Sequence, residues 1–178
     1  MLIPLKECIR SYKEINPSLP RGLIYFGSNL GNDGSLLTEV GFHNVLWMEQ
    51  NRTRLPELYN LTKFLPLKQQ YVCEYFTNVD RPGVCLKFES FYKNNITMID
   101  LEKYEFVINL MEFGSEVNTL KGFGKYLSDP MHSGIKAIYT RFAYLEEMDE
   151  FLYSHGFERT LTSNIHENIG EAFYRKKT

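Results

Sequence analysis

The chain reads as an α/β protein, a mostly parallel sheet covered by helices on both faces. Three features of the sequence predict this. Short apolar runs alternate with helical patterns at close intervals. Several of the runs are apolar on both faces, as strands buried between two helix layers must be. The last two runs follow one another with no helix between them, which places an antiparallel hairpin at one edge of the sheet.

Taken in order, Leu5, Cys8, Ile9, Tyr12 and Ile15 recur at helical spacing and predict an amphipathic helix over residues 4–15. Asn16-Pro17-Ser18-Leu19-Pro20 stops it, because each proline removes a donor and restricts the residue before it. Leu23–Phe26 is a buried strand that runs into Gly27-Ser28-Asn29-Leu30-Gly31-Asn32-Asp33-Gly34, a turn. Leu36, Leu37 and Val40 then mark a short helix capped by Gly41. Val45–Met48 is the second strand, ending at Glu49, and a helix follows over residues 55–64. Tyr71–Phe76 and Val84–Phe88 read as strands on either side of the turn Asp80-Arg81-Pro82-Gly83. Phe106–Leu110 is a further apolar strand, and Val117, Leu120 and Phe123 mark a helix after Gly114. Ile135–Tyr139 is a strand. Leu145–His155 is an acidic amphipathic helix ended by Gly156, and Phe157–Leu161 and Ala172–Tyr174 form the closing hairpin.

Composition narrows the function classes. At 178 residues the chain is sized for one domain over residues 1–178, with residues 1–20 as an N-terminal helix and linker. Hydrophobic residues at 43% and charged residues at 24% exclude disorder and fibrous architectures. Lys and Arg number 20 against 22 Asp and Glu, so the net charge of −2 offers no bulk electrostatic reason to bind nucleic acid or an anionic membrane. No apolar run approaches the ~18 residues of a membrane span. The N-terminus has no signal-peptide core, and Cys8, Cys73 and Cys85 lack zinc-like spacing. These features predict a cytoplasmic protein with reduced thiols. His43, His132, His155 and His166 share no metal-ligand spacing with other donors, so no metal site is expected.

The informative pairing is the glycine turn and the acid one strand later. Glycines let the backbone approach a bound cofactor, and the helix that follows offers unpaired N–H groups. Glu49 stands 22 residues beyond Gly27, the distance at which an acid accepts hydrogen bonds from ribose hydroxyls. The plain alternative is that Gly27 and Gly31 only shape a turn and Glu49 is a solvated strand-end carboxylate. The spacing fits neither a P-loop nor Gly-x-Gly-x-x-Gly. Nucleoside recognition without a phosphate cradle points to S-adenosylmethionine rather than a dinucleotide.

At these residues the chain resembles the FkbM family of S-adenosylmethionine-dependent methyltransferases. Leu23–Gly31 is similar to the family's first motif, an apolar strand running into Gly-Ala-Asn/His-x-Gly. Asn44–Asn51 resembles its second strand, which ends Ile-Glu-Ala/Pro-Asn. Thr97–Leu101 resembles Thr-Leu-Asp-x-Leu, Gly114–Gly122 resembles Gly-Ala-Glu-Leu-x-x-Leu-Lys-Gly, and Gly170–Tyr174 resembles the closing Gly-Asp-Ala-Leu/Phe-Tyr.

The resemblance implies a class I methyltransferase, Rossmann-like fold and S-adenosylmethionine as cofactor. Gly27, Ser28, Asn29 and Gly31 would surround its methionine and ribose, and Glu49 would hold the ribose with Asn51 beside it. Asn78 and Asp80 are alternatives for the adenine contact. It also implies methyl transfer to a hydroxyl oxygen of a sugar or other small acceptor, without nucleic-acid or membrane partners. A short chain has little room for a substrate lid, so a second copy or a protein partner is expected to complete the cleft.

Two departures from the family bear on catalysis. The family's Asp three residues before the Gly of Gly-Ala-Glu-Leu is Met111 here, and the Glu of its Ile-Tyr-Thr-Glu is Arg141. A thioether accepts no proton, and losing a general base costs about 10²–10⁴ in rate. Glu112 and His166 are the remaining catalytic candidates. Strand alternation turns Glu112 away from the position of Met111, towards a helix or solvent. The competing reading is a catalytically inactive binding or interaction module on the same fold. Arg175-Lys176-Lys177 reads as a solvated basic tail.

Overall fold

The computed structural model describes residues 5–15 and 22–177. The expected helix stop at Asn16–Pro20 lies outside them. Seven strands form one sheet in the order β3-β2-β1-β4-β5-β7-β6. The strands are β1 (Gly22–Phe26), β2 (Asn44–Met48), β3 (Lys68–Val72), β4 (Phe106–Asn109), β5 (Ala137–Phe142), β6 (Phe157–Asn164) and β7 (Gly170–Lys176). The first five are parallel, whereas β7 runs antiparallel to β5 and β6 antiparallel to β7. The chain works outward from β1 to β3 and then returns to β4 on the other side of β1. The order therefore reverses between β1 and β4, where open α/β sheets place their ligands.

Among the described residues six α-helices cover the sheet: α1 (Leu5–Ile15), α2 (Gly34–Glu39), α3 (Leu55–Thr62), α4 (Phe88–Asn94), α5 (Glu116–Lys121) and α6 (Leu145–Ser154). Side chains alternate along each strand, so one strand feeds two cores. Leu23, Tyr25, Val45, Trp47, Phe106 and Ile108 pack on one face with Cys8, Ile9 and Tyr12 of α1, Leu37 of α2 and Leu58 of α3. Ile24, Phe26, Leu46, Met48, Val107 and Ile138 pack on the other with Phe88, Leu120, Phe123, Met148 and Leu152. Each such side chain is worth about 1.5–3 kcal/mol of burial. The phenylalanine-rich composition goes largely into the second core, where Phe88 stacks on Phe123 at 4.2 Å and Phe26 meets Phe76 edge-on at 5.5 Å. All three cysteines are free thiols, and burial pushes that of Cys8 up to about 12. No helix among the described residues is long and apolar enough to cross a membrane.

Two expected elements differ. The third strand is Lys68–Val72 rather than Tyr71–Phe76. It is the outer strand on its side, so it carries Lys68, Gln69 and Gln70 and lacks an apolar signature. Val84–Phe88 is not a strand. Cys85 and Leu86 make isolated bridges, and Phe88 opens α4, with Phe88, Phe91 and Tyr92 at helical spacing. Elsewhere β5 begins two residues later than expected and reaches Phe142, which carries Arg141 within the strand.

Candidate functional site

The site grows from the ends of β1, β2 and β4, which the register brings level. Phe26 stands beside Met48 on one side and Asn109 on the other. The next residues, Gly27, Glu49 and Leu110, therefore share one rim. The Gly27 N–H donates to Met48 O at 3.0 Å, Leu110 N–H to Phe26 O at 3.0 Å, and Glu49 N–H to Val72 O at 2.9 Å.

After β1 the chain winds left-handed for five residues, with φ of 84°, 32°, 45°, 52° and 74° at Gly27, Ser28, Asn29, Leu30 and Gly31. L-residues pay about 1–2 kcal/mol each for that hand, so Ser28, Asn29 and Leu30 need compensation. Ser28 has one: its side chain is fully buried and its Oγ donates to Glu49 Oε2. Gly27 is required twice over, by its positive φ and because a Cβ there would lie 2.6 Å from Leu110 O.

Glu49 is 3% exposed and accepts the Asn51 N–H through Oε1 at 2.9 Å. Each carboxylate oxygen thus holds one donor and keeps a lone pair for another. Gln50, the next residue, has a buried Oε1 with no hydrogen-bond partner. A cavity of about 170 Å³ opens between these groups. Gly27, Asn29, Glu49, Gln50 and Arg54 line it from the β1–β2 side, and Leu110, Met111, Glu112 and Arg141 from the β4–β5 side.

The β4–β5 side is built from larger side chains. Met111 is buried and packs into the α4–α6 core. Glu112 is exposed and still lines the cavity. It turns away from the buried Met111 to solvent as expected, and since β4 ends at Asn109 the loop that follows still brings it to the cavity rim. Arg141 lies over the Phe113 ring at 5.3 Å, donates from Nη1 to Leu110 O at 3.1 Å, and keeps Nε 3.6 Å from Glu171 Oε1. The other Glu171 oxygen accepts the Tyr139 hydroxyl, whose pKa is raised by burial and then by that carboxylate. The Arg141 cation is therefore balanced from below.

Buried Glu116, at the start of α5, ties the rim together. One of its oxygens accepts the Gly114 N–H at 2.8 Å and the other the Ala143 N–H at 2.6 Å.

Of the residues expected from the sequence, Gly27, Asn29 and Glu49 line the cavity, with Ser28 bonded directly behind. Gly31 instead turns against α3, where a Cβ would meet Thr62 Cγ2 at 2.3 Å. Asn51 supplies only its backbone, since its Oδ1 accepts from Thr53 N–H and Oγ1. Asn78 and Asp80 do not line the cavity. Asp80 accepts the Lys87 N–H at 2.9 Å and the Ser90 hydroxyl at 2.7 Å, which hold its carboxyl below the usual range and fasten the start of α4. His166 is exposed in the β6–β7 hairpin and is not among the lining residues. Sequence reasoning missed Gln50, Arg54 and Leu110. Gln50 and Leu110 follow directly on residues it had singled out, but only the register shows that they face each other. Among the described residues no three His, Cys, Asp or Glu side chains gather as a metal site.

No family model matches the chain, and no similar curated protein is found. Solved structures do match. A candidate RNA methyltransferase of Pyrococcus horikoshii has a TM-score of 0.59 at 13% identity, over 96% of this chain and 81% of that one. A candidate tRNA methyltransferase of Streptococcus pneumoniae, in complex with S-adenosyl-L-methionine, gives 0.59 at 13% identity, over 99% and 73%. The methyltransferase domain of bacterial CtHen1 gives 0.58 at 10% identity, over 97% and 98%.

Proposed function

We propose that this chain, whose mostly parallel seven-stranded sheet with an antiparallel edge pair is the Rossmann-like methyltransferase fold, is a divergent relative of the FkbM methyltransferases, that the Gly27–Glu49 site binds S-adenosylmethionine, and that a hydroxyl of a small or glycan acceptor is methylated there. The observation that carries the reading is Glu49, a buried carboxylate at the tip of β2 with one free acceptor position on each oxygen, facing a glycine that has no room for a side chain. Two vicinal hydroxyls match that pair of acceptors. The unpartnered Gln50 Oε1 adds a third acceptor in the same wall.

When bound, the cofactor supplies an electrophilic methyl group on a sulfonium. The chain's own part is to hold the ribose through Glu49 and to take the acceptor's proton, for which Glu112 is the free carboxylate in the wall. Arg141 does not oppose a cationic sulfonium strongly, because Glu171 compensates it. The balance of Arg54 and Arg141 against Glu49 and Glu112, with the net charge of −2, supports a small acceptor over an RNA backbone, whatever the distant neighbours act on.

One observation favours a second reading, a binding module without catalysis. The cavity of about 170 Å³ is below the roughly 300 Å³ at which small-molecule pockets begin, and Met111 occupies its wall. Calorimetry separates the possibilities. Saturable heat with S-adenosylhomocysteine, weakened about tenfold or more by Glu49→Ala through loss of a charge-assisted partner, is the expected result. Silence at millimolar ligand from folded protein removes the cofactor. Binding without methyl transfer to any hydroxyl acceptor supports the second reading.

A further inference from the structure

A larger cavity, of about 550 Å³, lies at the opposite end of the sheet, where β5 and β6 begin and β7 ends. Its volume falls within the range of small-molecule sites. Its charged lining is Lys136, Arg175, Lys176 and Lys177 against Glu158 alone, with Tyr12 and Ile135 among the apolar walls. The basic tail read from the sequence is thus not a solvated end: Arg175 and Lys176 belong to β7 and form part of this wall.

The cations there are incompletely satisfied. Arg175 stands between Ala137 of β5 and Glu158 of β6 in the strand register. Its Nε is buried with no hydrogen-bond partner, and no ion pair joins it to Glu158, which is exposed. A buried donor left without an acceptor is destabilising, the more so when it is charged. Lys176 Nζ donates to Ser128 O at 2.6 Å and sits 5.4 Å over the Phe157 ring. Its direct contacts are a carbonyl and an aromatic face, and burial holds its pKa below the usual lysine value against the opposing pull of the Asp129 carboxylate. Lys136, on the rim, is 3.7 Å from Glu105 Oε2.

A guanidinium sharing one cavity with three ammonium groups matches the charge and planar-fork recognition of a phosphate better than that of any neutral ligand. These cations are gathered about one cavity of about 550 Å³ rather than spread along a surface stripe, which suits a compact ligand over a polymer. We propose that this cavity binds a small phosphate-bearing molecule, with Arg175 as its anchor and Lys136 at its entrance. The site is separate from the Gly27–Glu49 cavity, and its occupancy does not depend on methyl transfer.

Nuclear magnetic resonance titration of the full chain tests it, with inorganic phosphate and ribose 5-phosphate as probes. The expected result is saturable shifts of the Gly134, Ile135, Arg175 and Lys176 amides, with those of Gly27 and Glu49 still. Arg175→Gln weakens both probes by about tenfold or more, equivalent to at least ~1.4 kcal/mol. Lys136→Gln, an exposed change that spares the fold, weakens them by about threefold, in line with one charge at a partly solvated rim. Glu49→Ala leaves them unchanged. Absence of saturation, or binding that neither cavity variant alters, overturns the proposal. So does a single-stranded oligonucleotide that displaces ribose 5-phosphate from these amides, because the site would then belong to a nucleic-acid backbone.

Discussion

The two halves of the rim are made of different material. At the tips of β1 and β2 the wall is backbone and one carboxylate: a left-handed turn, a glycine pressed against Leu110, and Glu49 held by Ser28 and Asn51. At the tips of β4 and β5 it is side chains: Met111 sunk into a core, Glu112 free, and Arg141 braced on Leu110, Phe113 and Glu171. Backbone walls change little without breaking the fold, whereas side-chain walls change with each substitution. A constant ligand therefore suits the first half and a variable one the second.

The sharpest way to break that contrast is Glu112→Gln. The residue is exposed, so folding and S-adenosylhomocysteine binding stay as they are, while transfer to a hydroxyl acceptor falls about 10²–10⁴-fold. An unchanged rate would mean that the β4–β5 half supplies no base. Next comes Gly27→Ala, which forces a Cβ against Leu110 O at a φ of 84°. It is expected to cost about 2–4 kcal/mol, read as a fall of roughly 5–15 °C in the melting temperature. A variant that melts like the wild type would show that the backbone half yields after all.

Smallest is Asp80→Asn, in a region belonging to neither half. The folded-state pKa of Asp80 is depressed by the Lys87 N–H and then by Ser90, so its contribution is present above the usual carboxylate range and lost as pH falls through the folded value. The melting temperatures of variant and wild type should differ modestly at neutral pH and converge in acid, with S-adenosylhomocysteine affinity unmoved. A loss of that affinity would return Asp80 to the binding site.

The same contrast decides what could be read from the sequence. Strands β1 and β2 are apolar on both faces and end in residues whose chemistry is local, a glycine turn and an acid, so Gly27 and Glu49 could be paired before any coordinates. The closing hairpin was equally plain. Strand β3 was misplaced because an outer strand need not be apolar, and α4 was missed because Val84–Phe88 imitates a buried run while Phe88, Phe91 and Tyr92 carry the true period. Asn78 and Asp80 follow β3, so where they stand depends on where that strand ends, and they do not line the cavity. That Glu112 is exposed and yet borders the cavity is visible only in the fold, because β4 ends at Asn109 and residues 110–112 follow a loop. Arg141 was seen as a lone cation, and only the fold brings Glu171 beneath it.

Glu116 has a consequence beyond its own hydrogen bonds. Its two oxygens fasten the loop that leaves β4 to the loop that leaves β5, the one carrying Phe113 and the other Tyr144. Those loops form one lip, latched by that carboxylate. Reshaping it for a new guest would mean recasting both lengths of chain together, or first undoing the carboxylate that pins them.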